Sequence, residues 1–445
     1  MENKDLINKI ESLLKRRAFV YPSSEIYGGF GSVYDFGPMG CELKNNIKNL
    51  WRKNIKGEII DTDLENHGAD VVEIDSGILM SPKVWEASGH LSAGFSDKLV
   101  ECKKCHKRFK GDDIGGKCPE CQGDLSDPKQ FNLMMKTFIG PVQDSASEAY
   151  LRAETCQGIY VNFKNVLDTW RLKIPFGISQ IGKSFRNEIT PGNFIFRMRE
   201  FEQMEMQWFF DPESKKTPDQ WFDEWKEKRL NWYIDLGIKR ENLKIIEIDE
   251  KDRAHYAKRQ ADIMYNFPFG WKEIEGIHNR GDWDLSNHAK HSGQDLQVLN
   301  DDSKEKYFPH VIETSVGVER SMFAFLCEAY SENQEGEVNL NLHKKLAPVK
   351  VAVFPLVKNK EEIVSLTKKI FSDIKNRTDY NVYYDDSGSV GRRYRRQDEI
   401  GTPYCITIDY ESLNDNKVTI RDRISGKQDR IEINKINEYL DNNLK

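Results

Sequence analysis

Phe185-Arg186-Asn187-Glu188, followed closely by Arg197-Met198-Arg199-Glu200-Phe201-Glu202-Gln203-Met204-Glu205, is the stretch on which the fold turns. Met204, Met206 and Trp208 alternate with Glu205 and Gln207, which predicts a strand with one packed face and one polar face. The two arginines at its head sit beside apolar, strand-like residues with a carboxylate close by. Arginine suits phosphate, because its planar fork donates two parallel hydrogen bonds and keeps its charge.

A second string, Ile312-Glu313-Thr314-Ser315-Val316-Gly317-Val318-Glu319-Arg320, repeats the theme more than a hundred residues later. Arg152-Ala153-Glu154-Thr155-Cys156-Gln157-Gly158 adds a carboxylate between apolar segments. Arg186, Arg197 and Arg320 are therefore phosphate candidates. Glu154, Glu205 and Glu313 are candidates to converge on one ammonium group, with Ser315 and Gly317 leaving room for a very small side chain. Singly, each residue reads as readily as an ordinary surface charge. Together they suit a site that joins a nucleoside triphosphate to an amino acid.

With 445 residues the chain is long enough for two or three domains. Hydrophobic content of 38% and charged content of 31% read as a soluble globular protein, and the absence of a long apolar run excludes a membrane span. The charged Met1-Glu2-Asn3-Lys4-Asp5 start predicts no secretory leader, and so a cytoplasmic protein. At a net charge of −6 the whole molecule is no electrostatic binder of nucleic acid, so any such contact falls to local basic patches.

Cys102-x2-Cys105 and Cys118-x2-Cys121 form a quartet around Gly115-Gly116. Four thiolates at this spacing predict a closed, structural zinc site, with His106 a spectator. Cys41, Cys156, Cys327 and Cys405 read as reduced, buried thiols.

Along the chain, residues 2–17 predict a helix, and Pro38 opens another whose Leu43, Ile47, Leu50 and Trp51 form one apolar stripe. Residues 95–127 read as the zinc-binding insertion and 211–265 as a helical insertion opened by Thr217-Pro218. Near Ala347-Pro348 the texture changes to alternating strands and helices, predicting a separate α/β domain over 348–445. Within it, Gly391-Arg392-Arg393-Tyr394-Arg395-Arg396-Gln397 predicts a basic contact for a nucleic-acid backbone, with the tyrosine stacking on a base.

From about Arg16 to Arg430 the chain resembles the class II aminoacyl-tRNA synthetases, and among them the homodimeric glycyl-tRNA synthetase family. Asp35-Phe36-Gly37-Pro38-Met39-Gly40 with its helix resembles the first class II motif, which builds the dimer interface there. Phe185–Glu188 with Arg197–Glu205 resembles the second motif and Gly317–Arg320 the third. The resemblance implies a mixed α+β fold: a catalytic domain over 1–347 built on an antiparallel sheet flanked by helices, then an anticodon-binding domain.

It implies that ATP is held by Arg186, Asn187, Glu188, Phe196, Arg197, Met198, Arg199, Glu200, Phe201, Glu273, Ile274, Gly317, Val318, Glu319 and Arg320, with Mg²⁺ on Glu273. For glycine it implies Lys110, Glu154, Phe201, Glu202, Gln203, Met204, Glu205, Glu313, Thr314, Ser315, Val316 and Gly317. Arg186, Arg320 and Glu188 take the catalytic roles, and tRNA(Gly) is the implied partner. The family usually has Pro where Ala153 and Thr314 stand, Ala at Cys156, and an arginine where Lys110 aligns. Histidine-, threonine- or proline-type synthetases, and a non-catalytic relative, are the rivals; the first need a roomier pocket, the second typically lacks the ATP arginines.

Overall fold

Period-two alternation over Glu200–Phe210 produces the long strand expected of it, and six more strands assemble around it. The structure, a computed structural model, describes residues 3–56, 70–91, 95–300 and 303–444. In spatial order the sheet runs Leu243–Glu247, Arg259–Phe267, Gly270–Gly281, His310–Gly317, Glu200–Phe210, Phe176–Phe185 and Val71–Glu73. Every pairing is antiparallel except the last, where Val71–Glu73 runs parallel to Phe176–Phe185.

One face of this sheet is buried under helices Pro38–Lys56, Pro218–Asp235 and Val318–Ala329. Met204, Met206 and Trp208 meet Leu43, Ile47, Trp51, Trp225 and Met322 there. The Leu43–Trp51 stripe is thus core within the chain. On the opposite face, helix Cys156–Trp170 packs Phe163 against Phe176 and Phe209, covering only half the sheet. The uncovered half is a cleft. Glu205 and Gln207, on the polar face expected of this strand, are 2% and 0% exposed.

Three expectations need correcting. Residue 2 lies outside the described residues, and the first helix spans Asn3–Arg16. Segment 211–265 is only half helical: Pro218–Asp235, with its Thr217 capping box, gives way to Leu243–Glu247 and Arg259–Phe267, two strands of the main sheet. The buried alternation of Ala261, Ile263, Tyr265 and Phe267 is a strand's pattern. Cys41 is exposed, on the face of its helix opposite the stripe.

C-terminal to residue 350, strands Val382–Tyr384, Val351–Pro355, Tyr404–Ile408, Lys417–Asp422 and Gln428–Glu432 form a five-stranded sheet with its own apolar core. It is clasped to the rest of the chain by buried Arg423, which donates to the carbonyls of Leu340 and Leu342, and by Arg16 and Arg17 on Glu399. Among the described residues no helix is long and apolar enough to cross a membrane.

Candidate active site

Strand register builds the cleft floor. Cα partners Asp262, Gly276, Ser315, Glu205 and Gln180 form one row across five strands, and Gln260, His278, Glu313 and Gln207 form the next. Directly opposed residues share a face, so these two rows look into the same space. Ser315 Oγ donates to Glu205 Oε1 at 2.6 Å, and Thr155 donates to the other oxygen. Glu313 accepts from Arg280 at 3.0 Å and Gln207 at 2.9 Å, with His278 Nδ1 at 2.9 Å from its second oxygen. Glu154 arrives from the turn before helix Cys156–Trp170. Its Oε1 accepts from Cys156 and Gln157 at 2.9 Å, and its Oε2 lies 3.3 Å from His90 Nε2.

These three buried carboxylates differ electrostatically. Burial disfavours the charge of Glu313, but Arg280 and His278 outweigh it and hold the pKa down at about 2. Glu154 also overcomes burial, through His90 and Arg280, and falls well below the usual carboxylate range. For Glu205, burial, reinforced by the charges of Glu313 and Glu154, pushes the pKa up to about 7. The acidic end of the cleft is therefore walled by three carboxylates, one of which titrates near neutrality.

Basic residues gather at the other end. Arg320 sits over the Phe196 ring, 4.5 Å from its centroid, and its Nη1 is 3.4 Å from Glu273 Oε1. Burial lowers its pKa, and the nearby charges of Arg186 and Arg197 act in the same direction. Arg186 lies between the rings of Phe201 and Phe95, at 5.5 and 5.6 Å. Three guanidinium groups brought this close together suit an anion site. All six charged groups, with Glu188 and Glu273, line one cleft of about 240 Å³.

Glu273 reaches this cleft only through a β-bulge. Ile263 pairs with Glu275 but Met264 with Glu273, so Ile274 is the extra residue. Simple alternation would put Glu273 and Glu275 on one face. The bulge separates them: Glu273 lines the cleft, while Glu275 is bound beneath the sheet by Arg229 at 2.6 and 3.1 Å.

Of the residues expected at the site, Glu188, Phe196, Met198, Phe201, Gln203, Gly317 and Glu319 also line the cleft. Others do not. Glu202 turns to the helical face, where it pairs with Lys44 at 2.7 Å and Lys48 at 3.2 Å, and Met204, Thr314 and Val316 are buried on that face too. Their positions are one residue out of phase with the pocket. Ile274 and Val318 belong to the core. Asn187 bonds through its N–H to Leu133, Glu200 pairs with Lys183 at 2.8 Å, and Arg199 holds the carbonyls of Gly31 and Glu188. Lys110 pairs with Asp97 at 2.8 Å, away from the cleft lining. Tyr256, Gln260, Asp262, Gly276 and His278 line the cleft without having been anticipated, and Arg280 and His90 stand directly behind it.

The cysteine quartet closes on itself in the insertion, whose strands Arg108–Lys110, Ser96–Glu101 and Lys129–Asn132 form a small sheet. Cys102 and Cys121 sulfurs are 3.5 Å apart, Cys105 and Cys118 3.7 Å, and all four lie within 4.8 Å of one another. Tetrahedral zinc at about 2.3 Å from each sulfur sets such edges at roughly 3.8 Å. Backbone N–H groups of Cys105 and Lys104 draw the Cys102 thiol down to about 6.

The C-terminal basic run is a helix, Val390–Asp398, and its side chains are largely spoken for. Arg393 is 1% exposed and donates to the carbonyls of Pro355, Asp386 and Gly388. Arg396 pairs with Asp385, and Tyr394 packs edge-on to Phe354 with its hydroxyl 2.6 Å from Thr407. Neither Arg393 nor the tyrosine is available to a nucleic acid. A domain sheet with open strand ends needed a cap, and this run supplies it.

A glycine–tRNA ligase of Borreliella burgdorferi (strain ATCC 35210 / DSM 4680 / CIP 102532 / B31) is 50% identical over 442 residues, covering 97% of this chain and 96% of the relative. The chain belongs to the glycine–tRNA ligase family. Members from Caldanaerobacter subterraneus subsp. tengcongensis, 48% identical with both chains fully covered, and Thermobifida fusca, 46% identical over 98% of this chain and 97% of its own, are similar throughout. Residues 137–329 match the tRNA synthetase class II core domain (G, H, P, S and T), and 350–443 match the anticodon binding domain. The family's fold is shared with the Giardia lamblia prolyl-tRNA synthetase in complex with prolyl-adenylate. That structure has a TM-score of 0.69 at 15% identity, covering 98% of this chain and 75% of the other.

Proposed function

We propose that this chain activates glycine with ATP to glycyl-adenylate and transfers glycine to the 3′-terminal adenosine of tRNA(Gly). One observation carries the reading: three carboxylates and three arginines face each other across a single cleft. Glycine's ammonium would lie among Glu154, Glu205 and Glu313, and its carboxylate would point towards Arg186. Attack on the α-phosphorus would expel pyrophosphate, whose γ-phosphate Arg320 and Arg197 hold. Phe201 and Glu188 would take the adenine. No side-chain nucleophile is required; orientation and charge stabilisation by fixed guanidinium groups supply the rate.

Glu273, a hard oxygen donor beside Arg320, fits Mg²⁺, which when bound would neutralise phosphate charge. The four sulfurs fit zinc, held as a structural ion at residues 95–127. We assign 1–347 to catalysis and 348–445 to anticodon binding, in a cytoplasmic homodimer. Ile26, Tyr27 and Phe30, 88%, 86% and 65% exposed just before helix Pro38–Lys56, are apolar surface of the kind a second copy covers.

Selectivity follows from size. The floor row carries Gly276 and Ser315, both lining the cleft, and a Cβ on Gly276 would meet His278 at 2.8 Å, so the floor itself has no room for a side chain there. Every other amino acid is excluded by overlap, so no editing domain is needed. Pyrophosphate exchange with each amino acid in turn tests this: glycine alone should support it, and equal exchange with alanine would overturn the reading.

A further inference from the structure

His90 and Phe95 belong to none of the strings singled out in the sequence, yet both stand against the cleft. His90 is 7% exposed, wedged edge-on against Trp85 at 5.2 Å and tilted against Phe95 at 4.7 Å. Its two nitrogens have different partners. Nε2 faces Glu154 Oε2 at 3.3 Å, and Nδ1 lies 2.8 Å from Ser88 Oγ. A carboxylate only accepts, so Nε2 must carry hydrogen, while Ser88 Oγ, 2.8 Å from Nδ1 and 3.4 Å from the Trp85 carbonyl, holds the other edge of the ring. The main chain is fixed as well, since Asn132 donates to the His90 carbonyl at 2.8 Å.

Glu154 needs such a partner. Its Oε1 is taken by Cys156 and Gln157, whereas among the described residues Oε2 is bound by His90 alone. One lone pair of Oε2 is thereby fixed, and the other is left to face the cleft. Phe95 extends the link, since its other neighbour is Arg186.

Resting on the glycine reading of this cleft, we propose that His90 is a positioning residue: it orients the Glu154 carboxylate towards the substrate ammonium, and Ser88 holds the far edge of its ring. The chemical logic is that of a carboxylate held by an imidazole N–H, which fixes direction without consuming the carboxylate's charge.

Glycine-dependent pyrophosphate exchange by the full-length chain tests it. His90→Phe keeps a ring between Trp85 and Phe95 but removes both nitrogens. It should raise the KM for glycine about tenfold and move the KM for ATP less than about twofold. His90→Gln restores an N–H near the Nε2 position and should recover most of the loss. Should His90→Phe fail to fold, Ser88→Ala gives the second reading: a ring no longer held at Nδ1 should raise the glycine KM about threefold with ATP unmoved. Parallel rises in both KM values, or a glutamine variant as impaired as the phenylalanine one, would overturn the assignment. Wild-type enzyme lacking glycine-dependent exchange would instead overturn the functional reading itself, and this with it.

Discussion

Arg186 and Glu154 are held by neighbouring points of one backbone segment: Arg186 Nε donates to the Ala153 carbonyl at 3.1 Å, one residue before Glu154. The phosphate end and the ammonium end of the cleft are therefore not independently adjustable. Phe185 N–H bonding to the Arg152 carbonyl at 2.9 Å ties the same two segments again. A change that shifts residues 152–154 should disturb both substrates, whereas a change to the far oxygens of Glu313 should disturb glycine alone.

Glu205 makes glycine binding pH-dependent. Its pKa of about 7 means that it is mostly protonated at pH 6 and mostly ionised at pH 8, while glycine's ammonium stays charged throughout. Only ionised Glu205 attracts that ammonium, so the KM for glycine should fall about tenfold between pH 6 and pH 8. Glu205→Gln should flatten the profile at a high KM. Stability runs the other way. The folded pKa lies above the ordinary 4.5, so this group's contribution to the fold is complete below pH 4.5 and is lost as pH rises through 7. Exchange assays against pH, with ATP as the control substrate, check the first statement; a flat glycine profile contradicts it.

Arg280 should matter to the fold as much as to the site. It is 1% exposed, grips Asp284 with two bonds at 2.6 and 2.9 Å, and holds Glu313 with a third. Arg280→Leu would take the guanidinium from buried Asp284 and leave Glu313 only His278 and Gln207, a loss of about 3–5 kcal/mol. Arg280→Lys should rescue little, because one ammonium cannot span both carboxylates in the fork's geometry. Denaturant unfolding measures this, and a leucine variant within about 1 kcal/mol of wild type would contradict it.

How much of this was legible beforehand depends on the local period. Glu205, Glu313 and Ser315 could be read because carboxylates and a hydroxyl alternate with apolar residues in recognisable strings. Glu202, Met204, Thr314 and Val316 were assigned to the pocket because each string was taken whole, although every second residue of a strand faces away. Glu273 could not be distinguished from Glu275 by pattern, since the bulge that parts them appears only with the pairing of neighbouring strands. Arg280 had one local signal, an acidic residue four places on at Asp284, but its value lies in reaching Glu313 from another strand. His90 had none, since Glu154, the partner that gives it a role, reaches it only through tertiary packing. Arg393 misled in the opposite direction: basic density resembles a nucleic-acid contact until the carbonyls it caps are known.

Replacing Arg392 and Arg393 separately should divide structure from recognition. Arg393→Met removes donors from four carbonyls and should destabilise the C-terminal domain by about 3 kcal/mol. Arg392 is exposed, so Arg392→Ala should change stability by less than about 0.5 kcal/mol. If this face meets tRNA, Arg392→Ala should nonetheless raise the KM for tRNA while sparing pyrophosphate exchange. Unfolding monitored in the C-terminal domain, alongside charging and exchange assays, separates the two; equal stability losses would show that Arg393 is no cap.

The cysteine module should carry one zinc per chain, and its removal should be felt at the cleft. Against the pull of the Lys107 N–H, burial and the neighbouring thiols push Cys105 up to about 12, so four thiolates do not coexist here without a cation to neutralise them. Lys110, on a strand of the module, donates its backbone N–H to Thr190 at 3.1 Å, and Thr190 lies in the loop that follows Arg186 and Glu188. Stripping the metal should therefore raise amide exchange in residues 96–132 first and in 186–192 next, and it should weaken ATP binding. Cys118→Ser should abolish metal retention, whereas Cys156→Ala should leave one zinc per chain, because Cys156 is buried behind Glu154 and is no part of the quartet. Elemental analysis of the purified protein, followed by hydrogen exchange with and without chelator, is the measurement. Zinc retained by Cys118→Ser, or amide exchange at 186–192 indifferent to chelation, would break the link between module and site.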